Sequence, residues 1–162
     1  MRGICCRRWW LRLLVAGLVI VGAFVSDIVP AVAAPLGPPT VLAGQTTQGF
    51  PSYFKISPNG RMLETGQTAL MMNCSSGAMF ALPTFVSHIR IGASGRTRTA
   101  GQIPPGTLSG GGIYTGTESM SAKLNRVRTE IAGVWRLRMS YTFTDGTSDQ
   151  CDSGPVRFVD SR

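Results

Sequence analysis

The chain reads as an all-β domain: a single antiparallel β-sandwich, or a partly closed barrel, of about eight or nine strands with one disulfide. Three observations predict it. From Phe50 onward, short β-prone runs follow one another between turn signals, and no stretch shows the 3.6-residue period of a helix. A long run in the second half alternates apolar and polar side chains with a period of two. Two cysteines, Cys74 and Cys151, lie in the part of the chain expected to be exported, where thiols oxidise.

Export is predicted by the N-terminus. Residues 1–12 carry Arg2, Arg7, Arg8 and Arg12 and no acid, and an apolar run follows at 13–25. This is the charged n-region and short h-region of a signal peptide. A run of that length rises only about 20 Å as a helix, against roughly 30 Å of bilayer hydrocarbon, so no permanent membrane anchor is expected. Pro30 breaks the run, and Ala31-Val32-Ala33 places small side chains where a signal peptidase reads. Cleavage is expected between Ala33 and Ala34, because one residue further on Pro35 would follow the scissile bond.

Cys6-Arg7-Arg8-Trp9-Trp10-Leu11-Arg12 resembles a twin-arginine export motif, with Trp10 and Arg12 where Phe and Lys are more usual. A general secretory n-region that holds two adjacent arginines is the plainer reading, and the route stays open. Cys5 and Cys6 precede the apolar run, so they are not placed for lipidation and leave with the leader. The expected organisation is a cleaved signal peptide at 1–33, a flexible lead at 34–48 and a secreted β domain at 49–162, outside the cell or at its envelope. Of the 16 Lys and Arg and 8 Asp and Glu, four arginines and Asp27 lie in the leader, which leaves a mature chain of net charge +5. A chain of that length is expected to form one domain.

Residues 34–48 are rich in Pro, Gly, Thr and Gln without period, and no folded element is expected before Phe50. Runs 53–57 and 61–65 flank Pro58-Asn59-Gly60, where Asn-Gly supplies the positive φ of a tight hairpin. Runs 68–74 and 78–82 flank Ser75-Ser76-Gly77, and runs 86–91 and 96–100 flank Gly92-Ala93-Ser94-Gly95. Residues 102–112, with Pro104-Pro105 and Gly110-Gly111-Gly112, read as a mobile loop.

The alternation is clearest beyond that loop. Ile131, Gly133, Trp135, Leu137, Met139, Tyr141 and Phe143 hold one parity, and Glu130, Arg136, Arg138, Ser140 and Thr142 hold the other, with Ala132 and Val134 as exceptions. Tyr114, Met120, Ala122 and Leu124 oppose Thr115, Thr117, Ser119, Ser121 and Lys123 in the same way. A turn at 125–128 would set Leu124 opposite Thr129 and Lys123 opposite Glu130, with both apolar faces on one side. A last strand at 155–159 follows Asp145-Gly146 and Gly154. A two-sheet sandwich is expected ahead of a closed barrel. A bridge between Cys74 and Cys151 would close a long loop, worth at most about 4 kcal/mol by chain entropy.

Thr46-Thr47-Gln48-Gly49, Cys74 followed by Gly77, Gly133 with Trp135, and the run from Cys151-Asp152-Ser153-Gly154 to Pro155-Val156-Arg157-Phe158 resemble small secreted actinobacterial β-domain proteins of unknown function. The resemblance spans most of the mature chain, through short structural motifs. It implies an exported, mostly β domain with one disulfide, and it transfers no catalytic residue.

Catalytic constellations are sparse. The single histidine, His88, alternates along Ser87-His88-Ile89-Arg90 in a strand, whereas a catalytic Ser-His-Asp set would need it in a cleft with a nucleophile and an acid in reach. No Gly-x-Ser-x-Gly elbow, Gly-rich phosphate loop or second zinc-ligating histidine is present, so no cofactor and no metal is expected. Asp145, Asp149 and Asp152 cluster in sequence without the spacing of an EF-hand loop.

Arginine spacing is more informative, because Arg96 and Arg98, Arg126 and Arg128, and Arg136 and Arg138 each stand two apart. On a strand such a pair projects from one face. Arg136 and Arg138, joined by Thr115, Thr117 and Ser119 of the partner strand, are the candidate binding residues. With few acids to pair them, they must reach solvent or a partner. The partner expected is an anionic envelope polymer or lipid headgroups, gripped by guanidinium forks. Nucleic acid is not expected, since the aromatic residues lie on the buried parity. The leading reading is thus a secreted binding or interaction module without catalysis. The alternative is a small extracellular hydrolase built on His88 and the Gly/Pro loop, and a pocket joining His88 to an acid and a hydroxyl would favour it.

Overall fold

The structure is a computed structural model that describes residues 37–162. The expected signal peptide, its expected cleavage point and the run that resembles a twin-arginine motif lie outside the described residues. Nine strands and no helix occur among them: β1 (Thr40–Thr46), β2 (Pro51–Ile56), β3 (Met62–Cys74), β4 (Met79–Arg90), β5 (Arg96–Thr107), β6 (Ile113–Leu124), β7 (Glu130–Thr142), β8 (Ser148–Asp152) and β9 (Val156–Ser161). All pairings are antiparallel.

Of the two arrangements expected, the strands take the barrel. They follow the order β4-β3-β2-β1-β9-β7-β6-β5, and β8 pairs with both β3 and β7. The pairings thereby close a ring of six strands, β3-β2-β1-β9-β7-β8, and β4, β5 and β6 extend the sheet beyond it. β2 and β8 share one edge of β3, and β9 and β8 share one edge of β7. The two long strands are therefore bridged by three strands at one end and by one at the other. Where the bridging strands stop, side chains fill the wall. Gln48 accepts from the Met71 amide and donates to the carbonyls of Met71 and Ser153, while the Ser153 hydroxyl accepts from the Leu137 amide.

Alternation places Leu42, Phe54, Ile56, Leu63, Leu70, Met72, Ile131, Trp135, Leu137 and Phe158 in one buried core. Phe54 stacks on Phe158 with ring centroids 4.7 Å apart, and Trp135 packs on both. The indole N–H donates 2.8 Å to Glu118, whose carboxylate also accepts from Thr84 of β4. This acid lies on the apolar parity of β6, so β4 and β6 meet over the core through a polar contact.

The structure changes several expected elements. The segment read as a flexible lead holds β1, whose Leu42 is fully buried. Its alternation was masked by Gly44, needed because a Cβ there would lie 2.2 Å from the Val159 carbonyl oxygen. Runs 61–65 and 68–74 are one strand, and so are 78–82 and 86–91. Gly66 marks a close approach by the Phe54 ring instead of a turn, and Pro83 is tolerated because β4 is an edge strand. The Gly/Pro loop shortens, since β5 runs to Thr107 with an irregularity between Ile103 and Gly106 that absorbs Pro104-Pro105. β8 was missed, because Ser-Asp-Gln-Cys-Asp carries no apolar alternation and is held by pairing on both edges.

The β6–β7 register also differs. Leu124 pairs with Ile131 and Lys123 with Ala132, two residues from the expected pairing. A two-residue shift preserves parity, so the apolar faces still coincide. The expected Lys123–Glu130 pair is lost, and Lys123 instead stands opposite Arg96 of β5.

Candidate anion-binding surfaces

The outer face of β5, β6, β7 and β9 carries the candidate residues. Thr117 pairs with Arg138, Ser119 with Arg136 and Thr115 with Ser140, so the five residues named from sequence share one face. The same face adds others through successive pairings. Arg98 stands opposite Ser121, Ser121 opposite Val134, and Val134 opposite Arg157. Arg96 and Lys123 form the next row toward the β6–β7 turn. Six cations thus share a face whose carboxylates are Asp152 and, at the rim, Glu130. At ordinary strand spacing Arg98 and Arg157 lie roughly 14 Å apart.

Asp152 changes the expected state of the central pair. Its carboxylate takes Arg136 Nε at 3.0 Å and Nη2 at 2.5 Å, and Arg138 Nε at 3.2 Å. These bonds, the one from Arg136 foremost, hold the Asp152 carboxyl down to about 2. Arg136 and Arg138 therefore do have an acid to pair them, supplied by the unforeseen strand β8. Arg138 keeps 57 % of its side chain exposed and Arg136 36 %. Arg138, held through Nε, keeps both of its Nη groups for a ligand, whereas Arg136 gives Nε and Nη2 to Asp152 and keeps Nη1.

The three clustered acids of the C-terminal region are separately engaged. Asp145 accepts from the amide and hydroxyl of Thr147 within its own turn. Asp149 accepts from both Ser75 and Ser76, which lowers its carboxyl to about 2. Asp149 also lies near Cys74 and Cys151, but their sulfurs are joined in the disulfide.

His88 lies exposed on β4 with φ 55°, facing the stretch where Glu64 bulges from β3 against β2. It lines neither of two surface cavities found among the described residues.

The larger of these, about 960 Å³, lies at the end of the fold opposite the disulfide. The β2–β3, β4–β5 and β6–β7 turns form its walls, and Arg61, Arg90, Arg96, Lys123, Arg126 and Arg128 line it without any Asp or Glu. Sequence reasoning paired Arg126 with Arg128 and Arg96 with Arg98 but did not join them. The signal lay in three hairpin turns each flanked by arginine, and only the topology brings those turns together.

Comparison of the chain with family models, with curated proteins and with solved structures gives no match.

Proposed function

We propose that this is an exported, non-catalytic binding module that engages an anionic polymer of the cell envelope through the outer face of β5, β6, β7 and β9. The observation that carries the reading is the charge balance of that face: six cations on four adjacent strands against Asp152 and Glu130. Arginine forks on a flat sheet suit repeated phosphate or carboxylate groups along a chain, and the hydroxyls of Thr115, Thr117 and Ser119 add donors between them. Exposed cations of one sign also raise the local concentration of an anionic partner and speed its association. The aromatic side chains of β7 lie beneath the face, so recognition would rest on charge and hydrogen bonding, not on stacking.

Binding to a long-chain polyglutamate or polyglycerol-phosphate probe, titrated against salt, tests the reading. The combined Arg98→Gln, Arg138→Gln and Arg157→Gln variant should bind at least about tenfold more weakly and show a flatter salt dependence. Parental affinity in that variant at low salt would overturn the proposal.

A further inference from the structure

The cleft at the end opposite the disulfide is a second concentration of positive charge, which shares Arg96 and Lys123 with the rim of the sheet face and adds Arg61, Arg90, Arg126 and Arg128. It is lined by five arginines and Lys123, and its lining has no carboxylate and no aromatic ring. Among the described residues, none of the six cations has a carboxylate oxygen within 4.0 Å. The three ion pairs found join other residues.

Two local features of the cleft run against the ordinary preferences of the chain. Arg96 and Lys123 stand directly opposite each other across β5 and β6, although like charges in that position repel. Arg128 adopts φ 59°, a conformation that favours Gly or Asn over a long side chain. Its guanidinium lies over Gly60, where a Cβ would stand 2.4 Å from Nε, and it donates 2.9 Å to the Pro58 carbonyl. Arg128 therefore ties the β6–β7 turn to the β2–β3 turn and fixes one wall of the cleft. A soluble surface needs neither feature.

We propose that this cleft is a binding site for a compact ligand that carries clustered phosphate groups. Six cations call for a ligand of several negative charges, and five of the six are guanidinium groups that match phosphate oxygens in pairs. A neutral sugar or a nucleobase would find no ring to stack on, so charge must supply the recognition. The volume lies at the upper end of the range for small-molecule sites, enough for a head group with more than one phosphate. The phosphates could belong to a free solute or to a lipid headgroup, and both present the same chemistry to the cleft. The site goes beyond the sheet-face proposal and does not depend on it.

The test uses the domain from Pro35 to Arg162 with sodium tripolyphosphate as the probe, followed by calorimetry. Saturable one-to-one binding is expected. Arg61→Gln and Arg126→Gln, at exposed side chains that make no hydrogen bond among the described residues, should each weaken it by about tenfold. The sheet-face variant Arg98→Gln, Arg138→Gln, Arg157→Gln should leave it unchanged, so failure here is separable from failure of the polymer reading. Arg128→Gly relieves the backbone and should fold while losing affinity. Vesicles containing phosphatidic acid then distinguish the source: capture that tripolyphosphate displaces assigns the site to a headgroup, and its absence to a free phosphate compound. No saturable binding, or equal weakening by the cleft and sheet-face variants, would overturn the proposal.

Discussion

Cys74 and Cys151 stand directly opposite each other across β3 and β8, in a pairing only two residues long, with their Cα atoms 4.0 Å apart. That pairing is the seam at which the six-strand ring closes. The disulfide therefore reinforces its shortest ladder. Ser75 and Ser76 assist by donating to Asp149 of β8, and the Gln150 carbonyl accepts from the Ser75 amide.

Replacing both cysteines by Ser should lower stability by roughly 2–4 kcal/mol in chemical denaturation. Hydrogen exchange should locate the effect: amides of Ser148–Asp152 lose protection first, while those of β1, β2 and β9 keep theirs. Uniform loss across all strands would mean that the bridge acts on the whole barrel and not at its seam.

A second prediction concerns Asp160. Its side chain is fully buried, accepts 2.5 Å from the Ser52 hydroxyl through Oδ1, and leaves Oδ2 without a partner. Burial pushes this carboxyl above its ordinary value. Burial disfavours the ionised form, so the stability tied to the neutral carboxyl is fully present below the ordinary carboxylate range and is lost as pH rises through the raised value. Asp160→Asn keeps the acceptor for Ser52 and removes the ionisation. Melting temperature should rise by several degrees at neutral and alkaline pH and stay near the parent's in acid. A variant less stable than the parent at pH 8 would show that the ionised carboxylate is accommodated.

Gly133 is a third point of leverage. An added Cβ would lie 2.3 Å from the Ser121 carbonyl oxygen and 2.7 Å from Phe158 Cζ. Gly133→Ala should destabilise by about 1–3 kcal/mol, because one neighbour is backbone of the paired strand β6 and the other belongs to the buried aromatic cluster. Equilibrium unfolding would measure it, and a neutral result would mean that β7 can move away from β6.

The sequence made the second half of the fold more legible than the first, for physical reasons. Trp135, Leu137 and Met139 alternate with Arg136 and Arg138, and one buried face against one wet face leaves that signature. In β1 the pattern is diluted by Ala43, Gly44 and Gln45, with the glycine there for close packing against β9. β8 carries no apolar signature because its place is set by pairing on both edges, and one of those edges is distant in sequence, as the bond from Ser75 to Asp149 across 74 residues shows. The Arg136–Arg138 face was legible since parity is local, but Asp152 at its centre came from that missed strand. The cleft joins Arg61, Arg90 and Arg126 from three separate turns, and local pattern carries no information about such a meeting.

Asp152 supplies a prediction specific to the sheet face. Asp152→Asn removes the charge that Arg136 and Arg138 share without changing side-chain size. Exposed ion pairs contribute little, so the stability loss should stay below about 1 kcal/mol. Affinity for a polyanionic probe should rise, since both guanidinium groups lose an internal competitor. Unchanged affinity, measured by titration at constant salt, would place the polymer contact elsewhere.

Converting Arg136 and Arg138 together to Gln tests the same centre from the other side. Both side chains leave β7 on the parity opposite Trp135 and Leu137, so their loss removes no core packing. It does strip Asp152 of its cations, and the sign of the resulting pH effect follows from the carboxyl's depressed value. In the parent that contribution is present above the ordinary carboxylate range and fades as pH falls toward about 2. The variant lacks it at every pH. Its melting temperature should therefore fall slightly short of the parent's at pH 7, and the gap should close on acidification. Binding to an anionic polymer should weaken at pH 7 and depend less steeply on salt. A double variant that binds as tightly as the parent at low salt would reduce this part of the face to solvated surface and leave the cleft at the opposite end as the site of anion recognition.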